Sequence, residues 1–321
     1  MIRYEVPPIR PPTETYSMLI RATRGCPWNR CVFCNAYKGR KFELRPVEEI
    51  KEDILSMKRI EDEIREYAQK TGYGDMLREV AMVNGIPWIE DDGVKTAFLG
   101  DSNSLIMRTP ELVEVVEFLR QTFPTLERVT SYARAKTVRH KKMEELEEIR
   151  RAGLARLHVG LETGDDEILK YMNKGATAEE MIEAGRKAIE AGFELSEYVM
   201  PGLGGADRWE QHVEGTARVL NAINPHFIRL RSLWVIKGTP LYEKKEQGEF
   251  QVQSVEGLLM ETRRLVEELD VASQLVVDDF STNYYISGGD GKLPEDKGNI
   301  LDNIDASLEY FRSRAEVESQ R

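Results

Sequence analysis

The chain has 321 residues, 41% hydrophobic and 31% charged, the make-up of a globular protein large enough for a barrel-like domain with an appendage. Its net charge of −11, from 56 acidic and 45 basic residues, argues against a broad nucleic-acid-binding surface, and nucleic acid is not the expected partner. No apolar run is long enough to cross a bilayer, and the first residues lack the layout of a secretory leader, so the expected compartment is the cytoplasm.

Residues 1–17 carry Pro7, Pro8, Pro11 and Pro12 and read as an extended lead-in. The run 17–24 reads as a buried strand stopped by Gly25, and the cysteines follow at once. Pro46 can open a helix with Val47, Ile50 and Ile54 as its apolar stripe. Residues 59–92 read as a charged, helical insert broken at Gly72, Gly74 and Gly85. A strand–helix rhythm then begins. Strand 94–99 leads to a helix from Thr109 bearing Leu112, Val115, Val116 and Leu119. Strand 128–133 leads to a helix marked by Met143, Leu146 and Ile149 and closed by Gly153. Strand 156–161 precedes a short helix, and Thr177 with Glu180 forms a capping-box pattern for a helix ended by Gly192. Strand 195–200, helix 208–220 and strand 227–235 complete the series.

Strands alternating with helices of this length imply right-handed crossovers and a parallel sheet. About six such units are too few for a closed eightfold barrel. The expected fold class is therefore α/β, a partial (β/α)6 TIM-like barrel spanning 18–245, with an α-rich C-terminal extension over 246–321. Within the extension, 254–269 and 299–312 read as helices and 274–293 as irregular.

The three cysteines, Cys26, Cys31 and Cys34, fall within nine residues. A secreted disulfide framework scatters even numbers of cysteines, so three this close read as one metal site. They follow the C-terminal end of the first strand, where the loops of parallel α/β folds converge on an active site. Three thiolates suit an iron–sulfur cluster with one iron open to a ligand, since a cluster for electron transfer alone normally takes four. Zinc would need a fourth ligand from elsewhere, and His140, His158, His212 and His226 have no paired ligand spacing. His158, mid-strand, and His212, mid-helix, read as packing or surface residues; ordinary thiols remain the plain alternative.

The loop Gly25-Cys-Pro-Trp-Asn-Arg-Cys-Val-Phe-Cys34 resembles the cluster loop of radical S-adenosylmethionine (SAM) enzymes. Phe33 stands where that family places an aromatic residue, and four residues separate the first two cysteines where three are usual. Gly100, Asp101 and Ser102 follow the second strand, where the family binds the methionine amino group of SAM. The stretch 159–174 looks like the subgroup of oxygen-independent coproporphyrinogen oxidase, Elongator's catalytic subunit and the methylthiotransferases. There the position of Glu162 contacts the cofactor and that of Lys174 faces its carboxylate. Met200 opens a glycine-rich loop similar to the one near the adenosine, with Tyr198 where an acid often stands and Glu197 one place earlier. Ser131 and Arg134, ending the third strand, are further candidates for SAM contact.

The resemblance implies a 4Fe-4S cluster on Cys26, Cys31 and Cys34, with SAM on the open iron. Reductive cleavage of SAM would give a 5′-deoxyadenosyl radical that takes hydrogen from a small or medium-sized substrate. Such an enzyme is oxygen-sensitive and needs an electron donor such as flavodoxin or ferredoxin. With all three cysteines used, sulfur insertion through an auxiliary cluster is disfavoured, and no cobalamin-binding, acetyltransferase or RNA-binding appendage is expected. Two other classes stay open: a non-catalytic haem or cluster carrier on the same fold, and a zinc-stabilised binding module. Arg229, Arg231 and Trp234 are expected on the last strand, its arginines on one face, as anion contacts or salt bridges. Trp28 could shield the iron or line the pocket. Asp279, Asn283, Tyr284 and Tyr285 could close over the site or pack against the barrel edge.

Overall fold

The computed structural model describes residues 4–277 and 282–319. The chain forms two compact units. The first comprises 1–27, 39–158 and 190–193; the second comprises 28–38, 159–189 and 194–321.

The first unit contains β1 (Met18–Arg21), β2 (Thr23–Arg24), β3 (Glu43–Leu44), α1 (Val47–Lys70), α2 (Leu77–Val83) and β4 (Thr96–Gly100). It continues through α3 (Thr109–Thr122), β5 (Arg128–Ala133), α4 (Ala135–His140), α5 (Met143–Ala152) and the start of β6 (Leu154–Glu162). The sheet order is β1-β4-β5-β6, with β1 and β5 both parallel to β4. The strands bury Ile20, Phe98, Leu99 and Val129 completely, and α3 buries Leu112, Val115, Val116 and Leu119. That one-face spacing is what fixes α3 as a helix, each buried aliphatic chain contributing roughly 1.5–3 kcal/mol of transfer free energy.

Two boundaries differ from those read in the sequence. The run 17–24 is two strands, because at Ala22 the chain leaves β4 and Thr23 and Arg24 pair antiparallel with β3. The helix opened at Pro46 also continues unbroken to Lys70, so the charged run from 59 is its second half. Ion pairs one turn apart, Lys58–Asp62 at 2.7 Å and Arg65–Glu61 at 3.1 Å, account for that composition.

The second unit takes up β6 and adds α6 (Asp166–Tyr171), α7 (Ala178–Glu190), β7 (Glu194–Val199), α8 (Trp209–Ile223) and β8 (Phe227–Leu230). Then come α9 (Pro240–Glu246), α10 (Val255–Glu268), β9 (Gln274–Val276), β10 (Gly291–Lys292) and α11 (Lys297–Ser319). The order is β6-β7-β8-β9-β10, with β7, β8 and β9 parallel and β10 antiparallel at the edge. The segment expected to be irregular thus supplies two strands, and β9 extends the parallel sheet beyond the predicted units. The last predicted strand is shorter than expected and stops at Leu230. Arg231 and Trp234 therefore lie beyond it, and strand alternation does not apply to the two arginines. Arg229 is buried and donates to Ser196 Oγ at 3.0 Å, whereas Trp234 is 61% exposed. At the level of α/β with a mainly parallel sheet, the expected class holds. Among the described residues, no helix is long and apolar enough to cross a membrane.

Candidate cofactor site

In the first unit, the parallel register sets Arg21 at the end of β1 beside Gly100 at the end of β4. The Arg21 guanidinium thereby reaches the buried carboxylate of Asp101, donating from Nη2 at 2.9 Å and Nε at 3.3 Å to Oδ2. The same oxygen accepts the backbone N–H of Gly25 at 2.7 Å, and Ser102 Oγ donates to the Gly25 carbonyl at 3.0 Å. Both polar backbone groups of the residue before Cys26 are thus held. Gly25 has φ +84°, and a Cβ there would come within 3.0 Å of the Lys41 carbonyl oxygen, so the turn requires glycine. Asp101 Oδ1 has no hydrogen-bond partner among the described residues. Burial raises the Asp101 pKa above the usual carboxylate range, outweighing Arg21 and the Gly25 amide.

The other predicted residues of this unit have definite places. Ser131 is buried and its hydroxyl donates to the Leu99 carbonyl at 2.9 Å, tying β5 to β4. The Arg134 backbone N–H donates to Asn103 Oδ1 at 3.1 Å, and Arg134 lines a cavity with Pro27. Gly100 packs under Pro7, where an added Cβ would sit 2.4 Å from the proline ring. The lead-in is held in place as well, since Glu5 accepts from Arg24 Nε at 3.0 Å.

In the second unit, the segment carrying Cys31 and Cys34 is fixed by backbone bonds and one aromatic ring. Val32 N–H donates to the Met172 carbonyl at 3.0 Å, and Leu241 N–H donates to the Val32 carbonyl at 3.1 Å. Trp28 Nε1 donates to the Asn173 carbonyl at 2.7 Å, and its ring covers Gly175, where a Cβ would approach it to 2.4 Å. Trp28 is thus seated on the turn that carries Lys174. Phe33 packs with Ile168, Met172, Leu203, Leu241 and Phe250, so its ring serves the apolar core.

Lys174 Nζ lies 2.7 Å from Glu162 Oε1, and both side chains are 14% exposed. Glu162 ends β6 with φ +64°, a left-handed conformation that turns the chain as its carbonyl accepts the Met200 N–H at 2.9 Å. A Cβ at Gly160 would lie 2.2 Å from Glu162 Oε1, so that glycine makes room for the ion pair. Glu197 on β7 is 2% exposed and Oε2 has no hydrogen-bond partner among the described residues. Burial pushes its pKa up to about 8, with Lys174 opposing the shift and Glu162 adding to it.

The three thiols are half-buried. Among the described residues, no three His, Cys, Asp or Glu side chains gather as a metal shell. The fit to an iron–sulfur cluster bearing SAM rests instead on donor chemistry. Soft thiolates are available for iron, and among the described residues neither the buried Asp101 Oδ1 of the first unit nor the buried Glu197 Oε2 of the second has a donor.

Sequence reading missed the grip of Asp101 and Ser102 on Gly25, the seating of Trp28, and the burial of Glu197. It read His158 and His212 as packing or surface residues, and both are fully buried. His158 faces the rings of Phe98 and Tyr132, while His212 Nε2 lies 3.4 Å from Glu261, which accepts the Gly202 N–H at 2.7 Å. In the C-terminal segment, Asn283 is buried and donates to the Leu230 and Val277 carbonyls at 2.8 and 3.3 Å, bracing the ends of β8 and β9. Tyr285 is buried, Tyr284 is 59% exposed, and Asp279 lies outside the described residues.

A family model described as the radical SAM superfamily matches residues 20–217. A tRNA uridine(34) acetyltransferase of Methanocaldococcus jannaschii is 30% identical over 114 residues, covering 34% of this chain and 20% of the relative. Elongator complex protein 3 of Schizosaccharomyces pombe is 23% identical over 244 residues, covering 70% of this chain and 43% of the relative. The chain thus spans less than half the length of these curated relatives. Among solved structures, coproporphyrinogen III oxidase (HemN) of Escherichia coli aligns with a TM-score of 0.50 at 16% identity, over 79% of this chain and 52% of that one. The radical SAM methyltransferase TsrM of Kitasatospora setae aligns at 0.50 and 19% identity, over 76% and 43%. At such identities the likeness is one of fold.

Proposed function

The chain belongs to the radical SAM superfamily, and from that premise we propose that it abstracts a hydrogen atom from an unreactive carbon of a small or medium-sized substrate. The superfamily's cofactors are a 4Fe-4S cluster and SAM. When bound, they supply one-electron cleavage of the sulfonium to methionine and a 5′-deoxyadenosyl radical, the species that takes the hydrogen.

The protein's own part is holding, orienting and excluding solvent. Cys26, Cys31 and Cys34 are the thiolates that would hold the cluster. Asp101 and Ser102 set the direction of the chain entering Cys26 through Gly25. In the first unit Asp101 Oδ1 would offer an acceptor to SAM; in the second, the Glu162–Lys174 pair and Met200, just past β7, would offer acceptors and one cation. Gly100, Ser131 and Arg134 are the first unit's further candidates for SAM contact, and Phe33 backs the loop from the apolar side. In this reading the lead-in 1–17 and the extension 246–321 flank a partial-barrel core at 18–245 with an insert near 59–92. The reaction runs in the cytoplasm on electrons from a flavodoxin or ferredoxin.

One observation carries the reading: three thiols within nine residues, entered through a glycine clamped by Asp101 and Ser102, inside the stretch that matches the family. The test is anaerobic reconstitution with iron and sulfide, followed by reduction with SAM present. Several iron atoms per chain and 5′-deoxyadenosine in the quenched mixture are expected. A fully reconstituted, reduced protein that neither binds SAM nor forms 5′-deoxyadenosine would overturn the proposal.

A second reading has its own observation, the tRNA uridine named in the M. jannaschii relative. In that reading the hydrogen comes from an RNA nucleotide. Stimulation of 5′-deoxyadenosine formation by tRNA, with deuterium transfer from labelled RNA, would favour it over a small substrate.

A further inference from the structure

Residues 128–142 hold Arg128, Arg134, Lys136, Arg139, His140, Lys141 and Lys142 and no acid, in a chain whose net charge is −11. The fold gathers part of this run around a cavity of about 460 Å³ in the first unit. Arg134, Lys136, His140 and Lys141 line it together with Pro27, next to Cys26. Among the described lining residues there is one acid, Glu145. Its carboxylate is already committed, accepting the Lys142 N–H at 2.8 Å in a helix-capping box and the Thr109 hydroxyl at 2.8 Å. Lys141 is placed rather than loose: Nζ donates to the Met107 carbonyl at 3.1 Å and to Thr109 Oγ1 at 3.0 Å. Thr137, also on the wall, accepts from Asn103 Nδ2 at 2.8 Å, which fixes the floor.

We propose that this cavity is an anion site that takes a phosphate group, carried by the substrate, beside the cysteine loop. A concave space walled by several cations, one of them held in place, binds phosphate by Coulomb attraction and charge-assisted hydrogen bonds. Lysines on a solvated helix face are normally indifferent to what passes them; here they share a cavity whose one acid is capping a helix. The site shares Arg134 with the SAM contacts proposed above but goes beyond that reaction, and because it is read by binding at Lys136 it is tested separately from SAM cleavage.

The phosphate could belong to a polynucleotide or to a small phosphorylated molecule, and the same variant separates the two. Binding of unfractionated tRNA and of inorganic pyrophosphate is measured on the reconstituted full chain at low and moderate salt. The comparison is with Lys136→Glu, an exposed position whose change leaves the core intact. Thermal midpoint and iron content act as controls and are expected to stay the same. If tRNA binds with a steep salt dependence, and Lys136→Glu weakens it about tenfold and lowers the salt slope by about one, the site serves a polynucleotide backbone. If tRNA fails to bind but pyrophosphate binds and is lost in the variant, it serves a small phosphorylated substrate. Absence of binding by both probes at low salt, or binding that Lys136→Glu leaves unchanged, overturns the proposal.

Discussion

The cysteine loop is held at its two ends by different physics. Before Cys26, a buried carboxylate grips the Gly25 amide and is itself held by the Arg21 guanidinium at 2.9 Å. Between Cys26 and Cys34, the loop is held by neutral backbone bonds at Val32 and by the Trp28 ring on Gly175. A charged anchor is directional but fragile, because removing either partner strands the other in a low-dielectric interior. A packed, neutral anchor distributes its free energy over many weak contacts and tolerates the loss of one. The difference assigns the two ends distinct sensitivities to mutation and to pH.

The largest effect should come from the charged end. Asp101→Ala leaves the Gly25 N–H without its acceptor and Arg21 with the longer contact to Glu5 at 3.4 Å. The loss should therefore fall at the lower end of the about 3–5 kcal/mol that breaking a buried pair costs. Urea denaturation should register that loss, and iron incorporation should fall with it. Asp101→Asn keeps an acceptor for Gly25 but not the charge, so it should lie between wild type and Asp101→Ala. Equal stability of Asp101→Ala and wild type would remove the charged anchor from the account.

Next in size is a pH effect from the second unit. Glu197 and Glu261 are buried acids whose pKa values are each pushed up to about 8. The folded state therefore binds more protons than the unfolded chain between about 4.5 and 8, and stability falls as pH rises through that interval. Buried His212, lowered to about 4, works in the opposite sense, adding stability as pH rises from about 4 to 6.5. Above 6.5 the acids act without that opposition. From pH 6.5 to 8, each should remove about 2 kcal/mol. Glu197→Gln should abolish roughly half of the decline seen in wild type, as measured by urea midpoints at the two pH values. An undiminished decline in the variant would mean that Glu197 keeps its charge in the fold, through Lys174.

The two ends also differ in how far the sequence reveals them. Local signals were legible: the Thr177–Glu180 capping box closes with bonds of 3.0 and 3.2 Å, and Gly153 ends α5 with φ +121°. Strand Arg128–Ala133 has the bounds read from its sequence. Hidden features depend on partners far apart in the chain. Arg21 and Asp101 are 80 residues apart, and nothing in either segment names the other; the β1–β4 register does. Strand β9 is three residues long, too short for periodicity to register. Within the site, the cysteine spacing was open to inspection, but Glu197 was not. Its acid sits at an inward position of a strand whose pattern otherwise reads as ordinary core, and only burial gives it a raised pKa.

The smallest effect tests the neutral end and thereby the comparison itself. Trp28→Phe keeps an aromatic ring over Gly175 and deletes the Nε1 bond to the Asn173 carbonyl. A single neutral hydrogen bond contributes about 0.5–1.5 kcal/mol, and Asn173, on an open turn, can turn its carbonyl to water. Stability should drop by about 1 kcal/mol, while iron content stays level with wild type, because Val32 still bonds to Met172 and Leu241. The backbone bonds at Val32 involve no side chain that the substitution removes, so they set a floor under the damage. If Trp28→Phe instead loses as much iron as Asp101→Ala, the indole bond to the Lys174 turn carries the second anchor. The two ends would then be alike in depending on one polar contact each.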